Sequence, residues 1–133
     1  MNEIYLMRDE KRDCVLFKAG FAKKLDDRIY QYTTHNPMCE CISHVKTQES
    51  SRHKVEKMFH EEIAKRGYEF IDAVIDGKHT EWFKVEYDDP FYTELCERGL
   101  NAFKCGKNRK RLSTIRTQPT HLQVLLIQYN HTH

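Results

Sequence analysis

Two short runs near the start of the chain, Glu3-Ile4-Tyr5-Leu6-Met7 and Val15-Leu16-Phe17-Lys18-Ala19-Gly20-Phe21, constrain its folding more than any other feature. Both are rich in residues that suit a pleated, half-buried surface. The charged segment Asp9-Glu10-Lys11-Arg12-Asp13 between them reads as a solvent-facing turn, so the pair predicts a β-hairpin. The second run is apolar except for one lysine. Buried lysines are rare unless paired or used, which makes Lys18 a candidate for chemistry. Tyr5 is expected to face Lys18 across the hairpin, although a lone strand tyrosine is more often a half-buried structural residue.

Past Gly20, the apolar residues Leu25, Ile29 and Tyr32 recur at helical spacing and predict a helix over residues 25–34. Arg28 and Tyr32, four apart, share a face of it. Asn36-Pro37 ends the helix, because the residue before proline is pushed out of the helical region. A third strand is expected over residues 38–47. Ser50 and Ser51 are candidate N-caps for the clearest helix, whose stripe of Val55, Phe59 and Ile63 runs to a stop near Gly67. Glu56 and His60 lie one residue round from that stripe. Further on, Asp76-Gly77-Lys78 forms a turn between two apolar patches, the second being Glu81-Trp82-Phe83-Lys84-Val85. Asp88-Asp89-Pro90 reads as a helix start that sends Phe91, Leu95 and Leu100 inward. The last apolar run, residues 122–129, fits strand or helix.

With 133 residues, 39% of them hydrophobic, the chain suits one core and one domain. No apolar stretch approaches the roughly 20 residues of a membrane helix, and Met-Asn-Glu-Ile-Tyr lacks the pattern of a signal peptide. The expectation is a soluble, intracellular protein, in cytoplasm or in a nucleus. Five scattered cysteines, Cys14, Cys39, Cys41, Cys96 and Cys105, then read as reduced thiols.

Charge is distributed unevenly. Residues 98–133 hold seven basic side chains and no acidic one, which leaves 15 basic and 20 acidic groups in residues 1–97. An acidic body with a basic tail fits either delegated attraction to a polyanion or a solvated extension. The tail's Gly106-Lys107-Asn108-Arg109-Lys110-Arg111 could neutralise several phosphates, with Lys107, Arg109, Lys110 and Arg111 as the contacts; a nuclear-localisation signal competes.

The order hairpin, helix, strand, long helix resembles the GIY-YIG nuclease fold, and the residues follow it over positions 3–97. Glu3-Ile4-Tyr5 resembles the first motif, with Glu3 in the usual glycine position. Lys18-Ala19-Gly20 stands where the second motif is expected, with lysine in place of its tyrosine, as in the phage and viral branch. Arg28 falls where the family's helix arginine belongs, Glu56 where its metal-binding glutamate belongs, and Glu81-Trp82-Phe83 resembles the signature that closes the domain. The resemblance implies a small α+β domain, residues 1–97, whose three-stranded antiparallel sheet is flanked by helices, with a basic C-terminal extension, residues 98–133. It also implies a DNA endonuclease dependent on Mg²⁺ or Mn²⁺.

Phosphodiester hydrolysis needs a deprotonated water, neutralised phosphate charge and a stabilised leaving group. Glu56 offers a hard oxygen ligand for Mg²⁺, in a site the substrate phosphate would complete. Arg28 offers a planar, permanently charged fork for phosphate oxygens. Tyr5 or Lys18 could accept the water's proton, and the resemblance favours Tyr5. A salt bridge between Arg28 and Glu56 is the plain structural alternative. His35 and His60 are candidate auxiliary groups, with His60 either packing or touching DNA. His53, Glu56 and His60 share a helix face in the way metal ligands do, but without the full zinc pattern of two histidines flanking a glutamate. His35, Cys39, Cys41 and His44 form another constellation, which lacks the two ligand pairs on tight turns of a structural zinc site. The rival to an enzyme is a catalytically inactive nucleic-acid-binding module of the same fold. A third reading is an interaction protein whose tail engages an acidic partner.

Overall fold

The computed structural model describes residues 2–75 and 77–104. The expectations for Cys105, for the basic tail residues Lys107, Arg109, Lys110 and Arg111, and for the apolar run 122–129 lie outside them.

The first hairpin forms as the sequence predicts but extends further: β1 (Glu3–Glu10) pairs antiparallel with β2 (Val15–Ala22) as far as Glu10 opposite Val15. The expected turn over residues 9–13 is therefore shorter, closed by the Lys11 N–H donating to the Cys14 carbonyl at 2.8 Å. Asp9 belongs to the strand and is buried. It accepts a hydrogen bond from Asn36 at 2.6 Å and pairs with Lys11 at 3.0 Å, the partners a buried carboxylate needs.

Helix α1 (Leu25–His35) follows and ends at Asn36, as proline at 37 requires. Strand β3 (Glu40–Lys46) pairs with the far side of β1. Helix α2 (Arg52–Lys65) begins at Ser51, whose hydroxyl accepts the Lys54 N–H at 3.1 Å, and the chain leaves it through Gly67 at φ 88°.

The expectation of a three-stranded sheet is corrected here. The segment after Gly67 forms a second hairpin, β4 (Glu69–Ile75) and β5 (Lys78–Val85), turned at Gly77 with φ 73°. It joins β2 to make a five-stranded antiparallel sheet in the order β3-β1-β2-β5-β4. The apolar alternation of Phe83 and Val85 supplies the reason: both are buried against the same core as Phe17 and Val15, so leaving them unpaired would strand backbone polar groups in that core.

Helix α3 (Pro90–Arg98) starts where Asp89 accepts the Phe91 N–H at 2.8 Å, and a 3₁₀ turn, Gly99–Phe103, completes the described chain. Leu100, Ala102 and Phe103 are fully buried. Arg66 pins this turn to α2: it bonds Glu62 at 3.1 Å and lies over the rings of Phe91 and Phe103, at 4.8 and 5.8 Å.

Strand alternation divides the sheet's side chains between two layers. Ile4, Leu6, Phe17, Phe21 and Phe83 pack with α2, α3 and the 3₁₀ turn; Tyr5, Met7, Ala22 and Trp82 pack with Leu25 and Tyr32 of α1. Cys14, Cys39, Cys41 and Cys96 are free thiols. No helix among the described residues is long and apolar enough to cross a membrane.

Candidate active-site cleft

Strand β2 pairs with β5 only through Val15, Leu16 and Phe17. From Lys18 onward the two strands diverge, and the sheet forks. Helix α1 borders the fork from one layer and α2 from the other, so a cleft of about 780 Å³ opens there. Lys18 is the first residue past the last paired position and lines it. Around it stand Arg28 and Tyr32 from α1, Arg52, Glu56 and His60 from α2, and Lys78 and Glu81 from β5.

Five of the candidate residues singled out in the sequence meet at this cleft: Lys18, Arg28, His53, Glu56 and His60. Tyr5 lies beneath it, fully buried, with its hydroxyl 2.9 Å from that of Tyr32. Its register differs from expectation, since Tyr5 lies opposite Gly20 and Lys18 opposite Met7. Tyr5 and Lys18 are diagonal neighbours on one face, not a facing pair. Gly20 is what makes room for the tyrosine: a Cβ there would sit 2.6 Å from the Tyr5 Oη and 2.8 Å from its Cζ. His35 ends α1, away from the cleft lining.

Electrostatics separates the candidates for base. Burial pushes the Tyr5 hydroxyl well above its usual value; the neighbouring Tyr32 and Glu56 add to this, and Arg28 only partly offsets it. Burial lowers the Lys18 ammonium instead, helped by the cations Arg28 and Arg52 and opposed by Glu56 and Glu81. For Arg28 burial also pulls downward but is outweighed by attraction to, and hydrogen bonding with, the Tyr5 and Tyr32 oxygens. Arg28 is thus anchored from below.

The Glu81-Trp82-Phe83 segment now has a local explanation. Alternation sends Trp82 to the α1 layer, edge-on to Tyr32 at 5.7 Å, while Phe83 enters the other core. Glu81 lies on the Phe83 side, where its Oε1 is 2.8 Å from Nδ1 of His60. The second constellation does not assemble as a set: Cys39 is buried with its thiol pushed up to about 12 by burial and then by Asp9, and His44 pairs with Glu3 at 2.7 Å.

Sequence reasoning passed over Arg52, Lys57 and Lys78, three cations of the cleft lining. Arg52 was within reach of it, because Arg52, Glu56 and His60 recur every four residues on one helix face. Lys78 became visible only once the second hairpin brought it there.

Five cations (Lys18, Arg28, Arg52, Lys57, Lys78) and three carboxylates (Glu56, Glu61, Glu81) line the cleft. Among the described residues, no three histidine, cysteine, aspartate or glutamate side chains form a metal-holding group. The donor set fits an ion held by one carboxylate, waters and a substrate phosphate, and does not fit a closed protein cage.

A forked-sheet α+β domain with a cation-rich cleft around one central carboxylate is thereby defined. The T5orf172 domain model matches residues 3–93, well over half of the chain, and the chain belongs to that family, a domain of phage proteins associated with nuclease-like, GIY-YIG-related families. No curated protein and no solved structure matches the chain.

Proposed function

We propose that this protein is a divalent-metal-dependent DNA endonuclease of the GIY-YIG type, in the branch that carries lysine in the second motif. The observation that carries the reading is the convergence of Lys18, Arg28 and Glu56, from a strand and two helices, on one cleft. Lys18 is the base: it lines the cleft, and burial favours the neutral amine that can take a proton from water. Tyr5, sealed and hard to ionise, supports Arg28 and Tyr32 from beneath. Arg28 stabilises the negative phosphate, its fork already anchored on the two phenols. Glu56 holds Mg²⁺ or Mn²⁺, an ion that supplies Lewis-acid stabilisation of charge on the phosphate when bound. Arg52, Lys57 and Lys78 draw the DNA backbone to the cleft without reading its sequence.

The surplus of cations over carboxylates in the cleft lining, five to three, favours a second reading, a nucleic-acid-binding module without catalysis. Supercoiled plasmid incubated with the protein and Mg²⁺ or Mn²⁺ separates the two. Nicking or linearisation that EDTA stops and Lys18→Met abolishes is expected; DNA retention with no cleavage under any divalent ion establishes the binding module instead.

A further inference from the structure

Cleavage of a phosphodiester leaves an alkoxide that needs a proton, and the three central residues give it none. Lys18 takes a proton from water, Arg28 keeps its protons at working pH, and Glu56 is an acceptor. His60 stands one helical turn beyond Glu56 on the same face of α2 and lines the same cleft. Its ring is held from two sides. Nδ1 lies 2.8 Å from Oε1 of Glu81, and the imidazole stacks on Phe70 with centroids 4.3 Å apart and planes 5° apart. Both partners come from the second hairpin. With Nδ1–H donated to Glu81, Nε2 is the nitrogen left for the cleft. Histidine and glutamate are each half exposed, so solvent can reprotonate the ring between turnovers.

We infer that His60, oriented by Glu81, is the general acid that protonates the leaving oxygen, an inference that rests on the hydrolase reading above. Water oxygen forms a new bond to phosphorus as the bond from phosphorus to the leaving oxygen breaks, and that bond's electron pair stays on the leaving oxygen. The Nε2 proton of the imidazolium passes to this oxygen, giving an alcohol and a neutral imidazole whose Nδ1–H remains on Glu81. The water's own proton goes to Lys18. Glu81 is the positioning residue of the pair and also attracts the Lys18 ammonium, so one carboxylate acts on both groups that move protons.

The test compares DNA oligonucleotides carrying one ordinary phosphodiester with the same strands in which the leaving oxygen is sulfur, placed at the 3′ bridging position in one substrate and the 5′ position in another. A thiolate leaves without a proton. The full chain with His60→Ala is expected to cleave the oxygen substrate about 10²- to 10⁴-fold more slowly than wild type, and one sulfur substrate at the wild-type rate. Glu81→Ala is expected to show a smaller deficit with the same rescue. His60→Gln, which keeps a planar donor for Glu81, is expected to behave as His60→Ala does, which guards against simple loss of packing. Equal slowing of the two His60 variants on oxygen and sulfur, or no slowing of them on oxygen, overturns the general acid and leaves the hydrolase reading standing. A wild-type protein that cleaves neither substrate removes the hydrolase reading and this inference with it.

Discussion

The hydroxyls of Tyr5 and Tyr32 lie 2.9 Å apart under the cleft floor, with Tyr5 wholly buried and Tyr32 lining the cleft. The hydrogen bond between them, together with the pull of both phenols on Arg28, makes Tyr5 a support. Tyr5→Phe should therefore lower cleavage by no more than about tenfold, the kinetic equivalent of one ordinary hydrogen bond. Lys18→Met should lower it by about 10²- to 10⁴-fold. Single-turnover rates on one DNA substrate give the ranking, and a deeper loss in Tyr5→Phe than in Lys18→Met would return the role of base to the tyrosine.

Gly20 is needed because the Tyr5 ring lies where any side chain would go. Gly20→Ala should destabilise the domain by about 1–3 kcal/mol, the usual cost of overpacking a closed core. Urea unfolding followed by fluorescence measures this, and an unchanged midpoint would mean that the ring has room to move.

The pH dependence follows from Lys18, whose ammonium is held below the ordinary lysine value of 10.5, first by burial. Between the folded and unfolded values the unfolded chain binds more protons, so stability rises with pH through that window. Below it the buried charge is a constant penalty. Lys18→Met should thus raise the unfolding midpoint at neutral pH while removing cleavage, the opposition of stability and activity common at active sites. On the substrate with a sulfur leaving atom, which needs no proton from His60, the wild-type cleavage rate should climb with pH as the Lys18 amine loses its proton. On that substrate a rate that is flat or falling from neutral pH upward would count against lysine as base.

Much of this site could be read from spacing. Arg28 and Tyr32 at four residues apart, and Glu56 and His60 at the same interval, fixed two helix faces that do meet at the cleft. Helix ends were legible because they rest on local chemistry, such as the Ser51 cap and the Asn36-Pro37 stop. Strand pairing was harder, since register depends on partners far along the chain. The linker's charges hid that Asp9 is a buried strand residue satisfied by Asn36, 27 positions away. Asp76-Gly77 between two apolar runs is a strong hairpin signal. The runs around it lack clean alternation, so strands β4 and β5, and with them the contact of Glu81 with His60, emerged only from the fold.

Arg52, Lys57 and Lys78 are exposed at the cleft and should act as phosphate contacts. Replacing all three with alanine should weaken DNA binding uniformly across sequences. It should also reduce the slope of log affinity against log salt by about 0.9 for each phosphate that is no longer neutralised. Fluorescence anisotropy over a salt series measures both; an unchanged slope would place the DNA elsewhere on the molecule.

Glu56 is the group on which the proposed hydrolysis turns, because it alone among the central three can hold a cation. The most direct measurement pairs DNA binding with plasmid cleavage for wild type and Glu56→Ala, in Mg²⁺ and in Mn²⁺. The expected result is binding within about threefold of wild type, a change under about 1 kcal/mol, and cleavage reduced to background in both metals. Cleavage by Glu56→Ala at the wild-type rate would contradict the assignment of Glu56 as metal ligand, and an absence of cleavage by wild type in either metal would contradict the endonuclease itself.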